Sequence, residues 1–429
     1  MTDWTSDANE ALTLSLVRAK EDKESLPEVE SYEKFHPSFT YPIFGEDEKI
    51  YGYNDLVIDL RFASGSLAQY LSVKYSQKLG STSTVDDVEG TLSGFIPPEY
   101  YKDESAFFKR VEEDSTSFTP SGKLIYTYTR PSPKGKGVAG AQQDVDNEDV
   151  VGFEVYHTNW ETAGFREYHR RMQLFILLYI EGGSYINEEE DSWEFVVLCR
   201  KRRGTDVATY HFVGYSSLYQ FYCFPEKVRM RLSQFVILTP YQRNGHGSEL
   251  YKAIYQYVLS QPSIAELTVE DPAEAFEDLR DKNDLEMLLA HEQFMQEGFG
   301  AGAVTHGGGR VGGVGRAGRS GRGGGRQATS TGQGKIGPPA DKAWVEKWRR
   351  ELKIAGRQFQ RLVEMLILLK LDPTDLRAAR AYRLQVKERL YRFNFEILAQ
   401  LEPDERHEKL EETFQSVKED YERILALVR

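Results

Sequence analysis

The passage from Gln234 to Val258 constrains the fold more than any other part of the chain. Gln234-Phe235-Val236-Ile237-Leu238 reads as an apolar strand that runs through Thr239-Pro240-Tyr241 into Gln242-Arg243-Asn244-Gly245-His246-Gly247-Ser248. Beyond the second glycine, Leu250, Ile254 and Val258 recur every four residues, the spacing of one helix face. A buried strand feeding a helix through a glycine loop calls for a layered structure of sheet and helix. Backbone N–H groups at such a helix N-terminus point into the loop and form an anion site. Gly245 and Gly247 let a diphosphate approach the backbone with no side chain intervening. No Lys-Ser/Thr pair follows the last glycine, so this is not a Walker loop, and the spacing is not that of a dinucleotide fingerprint. Taken alone, Gln-x-x-Gly-x-Gly also fits an ordinary strand-to-helix turn.

The 429 residues exceed one ordinary core and suffice for two or three domains. Upstream of the loop the chain reads as mixed α and β. Leu56 to Leu60 and Lys123 to Tyr128 read as strands, with a short helix from Phe107 to Val111 between them and a Gly/Pro-rich loop from Pro131 to Asp149 after them. Phe165 to Ile180 has apolar residues around most of its circumference and reads as a buried helix. Trp193 to Cys199 is a strand, Arg200 to Gly204 a basic turn, and Val213 to Phe221 a period-two strand with one aromatic face. The C-terminal region is helical. Trp344, Trp348 and Leu352 recur every four residues, and Leu410-Phe414-Val417-Tyr421-Ile424 forms a seam that packs on the preceding helices.

The net charge is −13, which argues against a sequence-blind nucleic-acid binder and suits a basic partner. Its distribution is uneven. The stretch from Gly298 to Ala340 holds five arginines, one lysine and no acidic residue, so the rest of the chain carries −19. With little to bury, this Gly/Arg tract is expected to be disordered, either a tolerated flexible insertion or a weak RNA contact. Two cysteines, Cys199 and Cys223, make no disulfide framework and point to a reducing compartment. Cys199 reads as core, and Cys223 has no base paired with it. The N-terminus lacks the order of a signal peptide, no apolar run reaches membrane-span length, and the histidines and cysteines lack metal-ligand spacing, so neither membrane nor metal is expected.

The ordered set of motifs is more specific than the loop. Phe44-Gly45-Glu46, Tyr51-Gly52-Tyr53, Gly164-Phe165-Arg166-Glu167-Tyr168-His169, Ile237-Leu238-Thr239-Pro240, the loop itself and Glu270-Asp271-Pro272 occur in that order. Together they resemble the type B histone acetyltransferase catalytic subunits, within the GCN5-related N-acetyltransferase superfamily. The resemblance runs from about Phe35 to Glu297 and resumes from Ala343 to Asp372. It implies an α+β chain divided into a flexible N-terminus (1–34), a mixed α/β domain (35–119), an acetyl-CoA-binding GNAT catalytic domain (120–272) and a helical region (273–297 and 341–429) interrupted by the disordered insertion (298–340).

Acetyl transfer to lysine needs a neutral amine, and lysine's ordinary pKa is about 10.4. A carboxylate must therefore take the proton before the nitrogen attacks the thioester. Three carboxylates are candidates: Glu270 at the end of the strand Ala265 to Val269, Asp271 beside it, and Glu181 at the end of the Phe165–Ile180 helix. The resemblance favours Glu270 as base, with Asp271 and Glu181 in the site. It also implies acetyl-CoA contacts at Phe235, Val236, Ile237, Gln242, Arg243, Asn244, Gly245, His246, Gly247, Ser248 and Phe276. His246 reads as an exposed loop residue, since backbone suffices for phosphate.

The substrate implied is the N-terminal tail of free histone H4, present with H3 as a dimer. A lysine-rich tail needs aromatic walls for its methylenes and carboxylates for its charges. Trp193, Tyr219 and Phe221, with Gln220 between them, fit the first need, and Glu46, Asp47 and Glu48 the second. A WD40-repeat histone-binding chaperone is the implied partner, and cytoplasm and nucleus the implied location. Two rival readings are an acetyltransferase of another amine, such as a protein N-terminus or polyamine, and a non-catalytic histone chaperone or RNA-binding scaffold.

Overall fold

Phe195, Val196, Val197, Leu198 and Cys199 are consecutive and all essentially inaccessible to solvent. A strand buried on both sides needs layers above and below it, and the chain supplies helices for both. The computed structural model describes residues 4–24, 34–80, 83–131, 140–141, 150–203, 207–300 and 334–428. They fall into two compact units, Met1–Asp271 and Pro272–Arg429.

The first unit contains two sheets that matter for the site. A three-stranded sheet is formed by β1 (Leu12–Val17), β2 (Val57–Ala63) and β3 (Gln69–Lys74), with β2 in the middle. The larger sheet contains β4 (Lys123–Pro131), β5 (Val150–Asn159), β6 (Trp193–Arg203), β7 (Ala208–Cys223), β8 (Lys227–Ile237) and β9 (Ile264–Val269). Its order is β9-β8-β7-β6-β5-β4, with Gly140–Ala141 at the far edge. All neighbours are antiparallel except β8 and β9, which run parallel through the crossover helix α3 (His246–Ser260). On the opposite face, α1 (Phe165–Met172) places Phe165 and His169 against Phe195 of β6.

Three sequence expectations change here. The first 34 residues are not a flexible lead-in over their described part. Leu12-Thr13-Leu14-Ser15-Leu16 alternates, and β1 buries all three leucines beside β2. Arg200 to Arg203 are not a turn but the end of β6. Two of these charges meet buried acids: Lys201 pairs with Glu154 at 3.1 Å, and Arg202 bonds Asp22. The helix expected from Phe165 to Ile180 is interrupted at Gln173, giving α1 and α2 (Leu174–Tyr179).

The second unit is helical, with α4 (Glu274–Ala290), α5 (Glu292–Phe299), α6 (Lys342–Glu351), α7 (Gly356–Lys370), α8 (Leu376–Phe393) and α9 (Pro403–Val428). Helix α9 buries Leu410, Phe414, Tyr421 and Ile424 against α8, α4 and α7. Across this contact Glu364 accepts hydrogen bonds from Arg389 and Tyr421, both at 2.8 Å. The ends of the Gly/Arg tract are ordered, contrary to expectation. Gly298 lies in α5 against Trp344, Ile336 is buried, and the Ile336 N–H donates to the Gly298 carbonyl at 3.0 Å. One apolar residue with a close-packed glycine suffices to fasten both ends; residues 301–333 lie outside the described residues.

Glu297 ties α5 to α6. It accepts from Gln293, Trp348, Lys347 and Trp344 at 2.9 to 3.3 Å. These donors, Gln293 and Trp348 foremost, bring its carboxyl down from 4.5 to about 2. A folded-state pKa below the unfolded one adds stability that is complete above about 4.5 and is lost as pH falls toward 2. Glu297→Gln is therefore expected to flatten the loss of stability between pH 5 and pH 2, measured as urea midpoints followed by tryptophan fluorescence.

Candidate active site

Strands β8 and β9 are paired from Val228 to Leu232, and the last rung is Leu232 with Val269. The Glu270 N–H closes the ladder on the Leu232 carbonyl at 2.9 Å. Beyond it the strands part. β8 continues to Ile237 paired with β7, while β9 ends and Asp271 takes the chain away with a φ of 30°. At the same place β8 carries an extra residue: Leu218 faces Leu232, but Ser217 faces Gln234. Such a bulge re-aims the side chains that follow it. Gln234 consequently reaches the Ser184 carbonyl at 2.8 Å and accepts from Ser217 at 3.1 Å.

The loop after β8 is held from three sides. Gln242 donates to the Ile237 carbonyl at 2.8 Å, folding the loop back onto the strand it leaves. Arg18, from the segment after β1, donates to the Tyr241 hydroxyl at 2.9 Å. His246 hydrogen-bonds the Tyr128 hydroxyl at 2.6 Å and packs on Phe153 with centroids 4.5 Å apart. Burial and, secondarily, Arg130 push His246 down to about 3, so the ring is neutral. Its imidazole is thus a buttress beneath the loop and not the exposed residue expected. Gly245 caps α3 with a φ of 77° and offers no side chain to its first-turn amides. Arg243 also has a positive φ, and Arg243, Asn244 and Gly245 are exposed. Val236 is buried, whereas Phe235 and Ile237 are half-buried beside the point where the strands part.

One face of the sheet near this point carries a row of aromatic and charged side chains. Trp193 is registered with Tyr219, Tyr219 with Arg231, and Arg231 with Thr268; Phe221 and Glu270 lie two residues along on their own strands. Residues in register or two apart share a face. The aromatic rings touch, Trp193 on Tyr219 and Tyr219 on Phe221, each with centroids 4.7 Å apart. Arg231 lies over Phe221 at 4.2 Å and 3.3 Å from the Glu270 carboxylate. The wall therefore leads directly to Glu270, which is accessible.

The remaining acidic candidates reach this region through the backbone. Glu181 is exposed at the end of α2, and the Gly182 N–H donates to the Tyr41 hydroxyl at 2.7 Å. Tyr41 begins the turn that holds Glu46, Asp47 and Glu48. Glu46 and Asp47 are exposed, but Glu48 is committed locally. Its carboxylate accepts the Thr40 and Tyr41 N–H groups at 2.6 and 3.1 Å, and these hold it below the usual carboxylate range. Glu48 thus shapes the turn through these backbone groups. Asp271 is exposed beside Glu270, and Phe276 belongs to the first turn of α4 in the second unit.

Gln220 points to the opposite face. It donates to Glu194, which also accepts from His157 at 2.7 Å and Tyr257 at 2.9 Å. Burial pushes the Glu194 carboxyl up, but the bond and charge of His157, with the other donors, hold it below its ordinary value. Tyr257 belongs to α3, so Gln220 helps brace the helix behind the loop and is not part of the aromatic wall. Burial raises the Cys199 thiol far above its ordinary value and leaves it inert. Among the described residues no group of three His, Cys, Asp or Glu side chains is arranged to hold a metal ion, and no helix is long and apolar enough to cross a membrane.

Comparison with known proteins identifies the family. The family described as "Histone acetyl transferase HAT1 N-terminus" matches residues 4–181, and "Fungal HAT1, C-terminal" matches 328–372. A histone acetyltransferase type B catalytic subunit from Cryptococcus neoformans is 48% identical over 99% of this chain and 98% of its own. The chain belongs to this family. Proteins of the same name from Mycosarcoma maydis and mouse are 41% and 30% identical over 97% and 99% of the chain. Similarity therefore continues past residue 375, where the sequence motifs give out. Among solved structures, an aminoglycoside acetyltransferase from an uncultured soil metagenomic sample covers 33% of this chain and 90% of its own at 15% identity, with a TM-score of 0.24.

As a type B histone acetyltransferase catalytic subunit, the chain is an acetyltransferase, and the family's chemistry uses acetyl-CoA. The uncapped glycine loop and the parted strands fit a phosphate-bearing thioester. Two arginines in this region escape the motifs. Arg130, at the end of β4, stacks on Tyr128, lies 3.4 Å from the Asn244 carbonyl and pairs with Glu249 at 3.3 Å. Arg231 is hidden in the strand because its meaning depends on register with Tyr219 and Thr268. A Cβ on Gly245 would lie 3.1 Å from the Arg130 guanidinium, at a positive φ. Gly245→Ala is expected to cost about 1–2 kcal/mol in loop geometry and to raise the acetyl-CoA KM by roughly 5- to 30-fold, with kcat changed less, in steady-state assays.

Proposed function

We propose that the protein transfers acetyl from acetyl-CoA to the Nε of lysines in the N-terminal tail of free histone H4, with Glu270 as general base. The observation that carries this reading is the aromatic wall of Trp193, Tyr219 and Phe221 ending on Glu270 where β8 and β9 part. The coenzyme's diphosphate lies on the amides of the Gln242–Ser248 loop, and its thioester arm enters between the strands beside Phe235 and Ile237. The lysine stem runs along the aromatic wall. Its ammonium meets Glu270, which takes one proton directly or through a water.

The neutral nitrogen then adds to the thioester carbon. The oxyanion is received by backbone N–H groups of β8 near Phe235 to Ile237. Collapse breaks the carbon–sulfur bond, and the departing thiolate takes the second amine proton, giving the coenzyme A thiol and the neutral amide. Direct attack needs no acetyl-enzyme, consistent with the inert Cys199. Glu46, Asp47 and Glu181, exposed on turns joined through Tyr41, supply charge for the flanking basic residues of the tail. The indole N–H of Trp193 is buried without a partner and suits a backbone carbonyl of an extended peptide. A histone-binding WD40 subunit as partner and a place in cytoplasm and nucleus belong to the same proposal.

The test incubates the protein with labelled acetyl-CoA and free histones. Label is expected on H4 lysines, and Glu270→Gln is expected to lower kcat by about 10²- to 10⁴-fold with little change in acetyl-CoA affinity. Unlabelled histones would reject the substrate; full activity of the variant would reject only the base.

A further inference from the structure

The position that a lysine ammonium must take already holds a cation. Arg231 lies over the Phe221 ring at 4.2 Å and 3.3 Å from the Glu270 carboxylate, so it meets the same aromatic face and the same acid. We propose that Arg231 is an internal surrogate for the substrate ammonium, holding the wall and Glu270 until a lysine displaces it. This deepens the proposed reading and rests on the wall and Glu270 receiving the substrate.

Arginine suits the role because it stays charged and offers no amine that can be made neutral for acetylation. Its hold is loose. One rung outward, Arg229 bonds Glu266 at 2.6 Å, whereas the Arg231–Glu270 contact is longer and the Arg231 Nε is buried without a partner. Both side chains of the inner pair are about a third exposed, at 34% and 40%, so solvent weakens the attraction. The cost is competition: a lysine binds only as well as it can displace Arg231, which lowers apparent affinity by the fraction of enzyme in the closed arrangement. Isolated small amines are penalised most, because they lack the flanking charges that reach Glu46, Asp47 and Glu181.

Arg231→Met keeps the stem and removes the charge. Its affinity for a synthetic H4 tail peptide, measured by calorimetry with coenzyme A bound and no turnover, is expected to rise by about 3- to 10-fold. Arg229→Met removes an equal charge one rung away and is expected to change affinity by less than about twofold. Equal gains would reduce the effect to general electrostatics and overturn the proposal, as would weaker or unchanged binding in Arg231→Met.

If Arg231→Met does not fold, Arg231→Lys replaces it. That variant retains a cation and is expected to bind peptide within about twofold of the parent; a gain beyond that overturns the role of charge. The calorimetry needs no turnover, so it decides the role of Arg231 even if Glu270→Gln proves fully active and the base lies elsewhere.

Discussion

The parting of β8 from β9 after Leu232 is the constraint on which the rest of the site depends. A parallel pair is ordinarily buried and continuous, and here it is interrupted while one strand keeps running. The interruption is built in on both sides. Asp271 takes a left-handed φ just ahead of Pro272, and the bulge opposite Ser217 shifts the side chains of β8 by one residue. That shift puts Gln234, and not Ser233, on the face of Arg231. Gln234 then fastens the Ser184 loop, whose neighbour Gly182 is fastened to Tyr41. A single extra residue in one strand thereby ties β8 to the Ser184 loop and, through Gly182 and Tyr41, to the segment that carries Glu46 and Asp47.

The two faces of the sheet divide the work. On one face, the row Trp193, Tyr219, Arg231 and Thr268 runs across four strands and is partly exposed. On the other, Glu194 gathers donors from β5, β7 and α3 in a buried cluster. A buried carboxylate is costly unless its lone pairs are occupied, and three donors meet that requirement here. The cluster sets where α3 lies on the sheet, and hence where its N-terminus presents the glycine loop. Neighbouring residues such as Glu194 and Trp193, or Gln220 and Tyr219, therefore serve opposite ends of the same task.

This alternation marks the boundary of what the sequence makes legible. The loop was readable because its signal is local: strand, glycines and helix follow one another in fewer than thirty residues. The aromatic wall was readable by its period of two. Gln220 was not, because its face is opposite to that of its neighbours and its partner, Glu194, is 26 positions distant. Glu48 and Glu46 look alike in sequence, yet only the fold shows that Thr40 and Tyr41 occupy one of them. The alternation of Leu12, Leu14 and Leu16 was a strand signal obscured by charged surroundings on both sides. Arg231 could be found only from register, since neither Phe221 nor Glu270 is near it in the chain.

The loop itself shows how charge is used sparingly. Arg130 stands beside Gly245 at the positive end of the α3 dipole, where a lone guanidinium would be repelled. Glu249, in the first turn of that helix, faces it at 3.3 Å and also accepts from Tyr126 at 2.7 Å. The pair is close to neutral, so attraction for an anion falls to the backbone amides, the helix dipole and the exposed Arg243. On the proposed function, a diphosphate on this loop would be held by geometry more than by net charge, which suits a chain of charge −13. The exposed carboxylates Glu46, Asp47 and Glu181 and the glycine loop can coexist in one unit because the field of oriented dipoles fades within a turn.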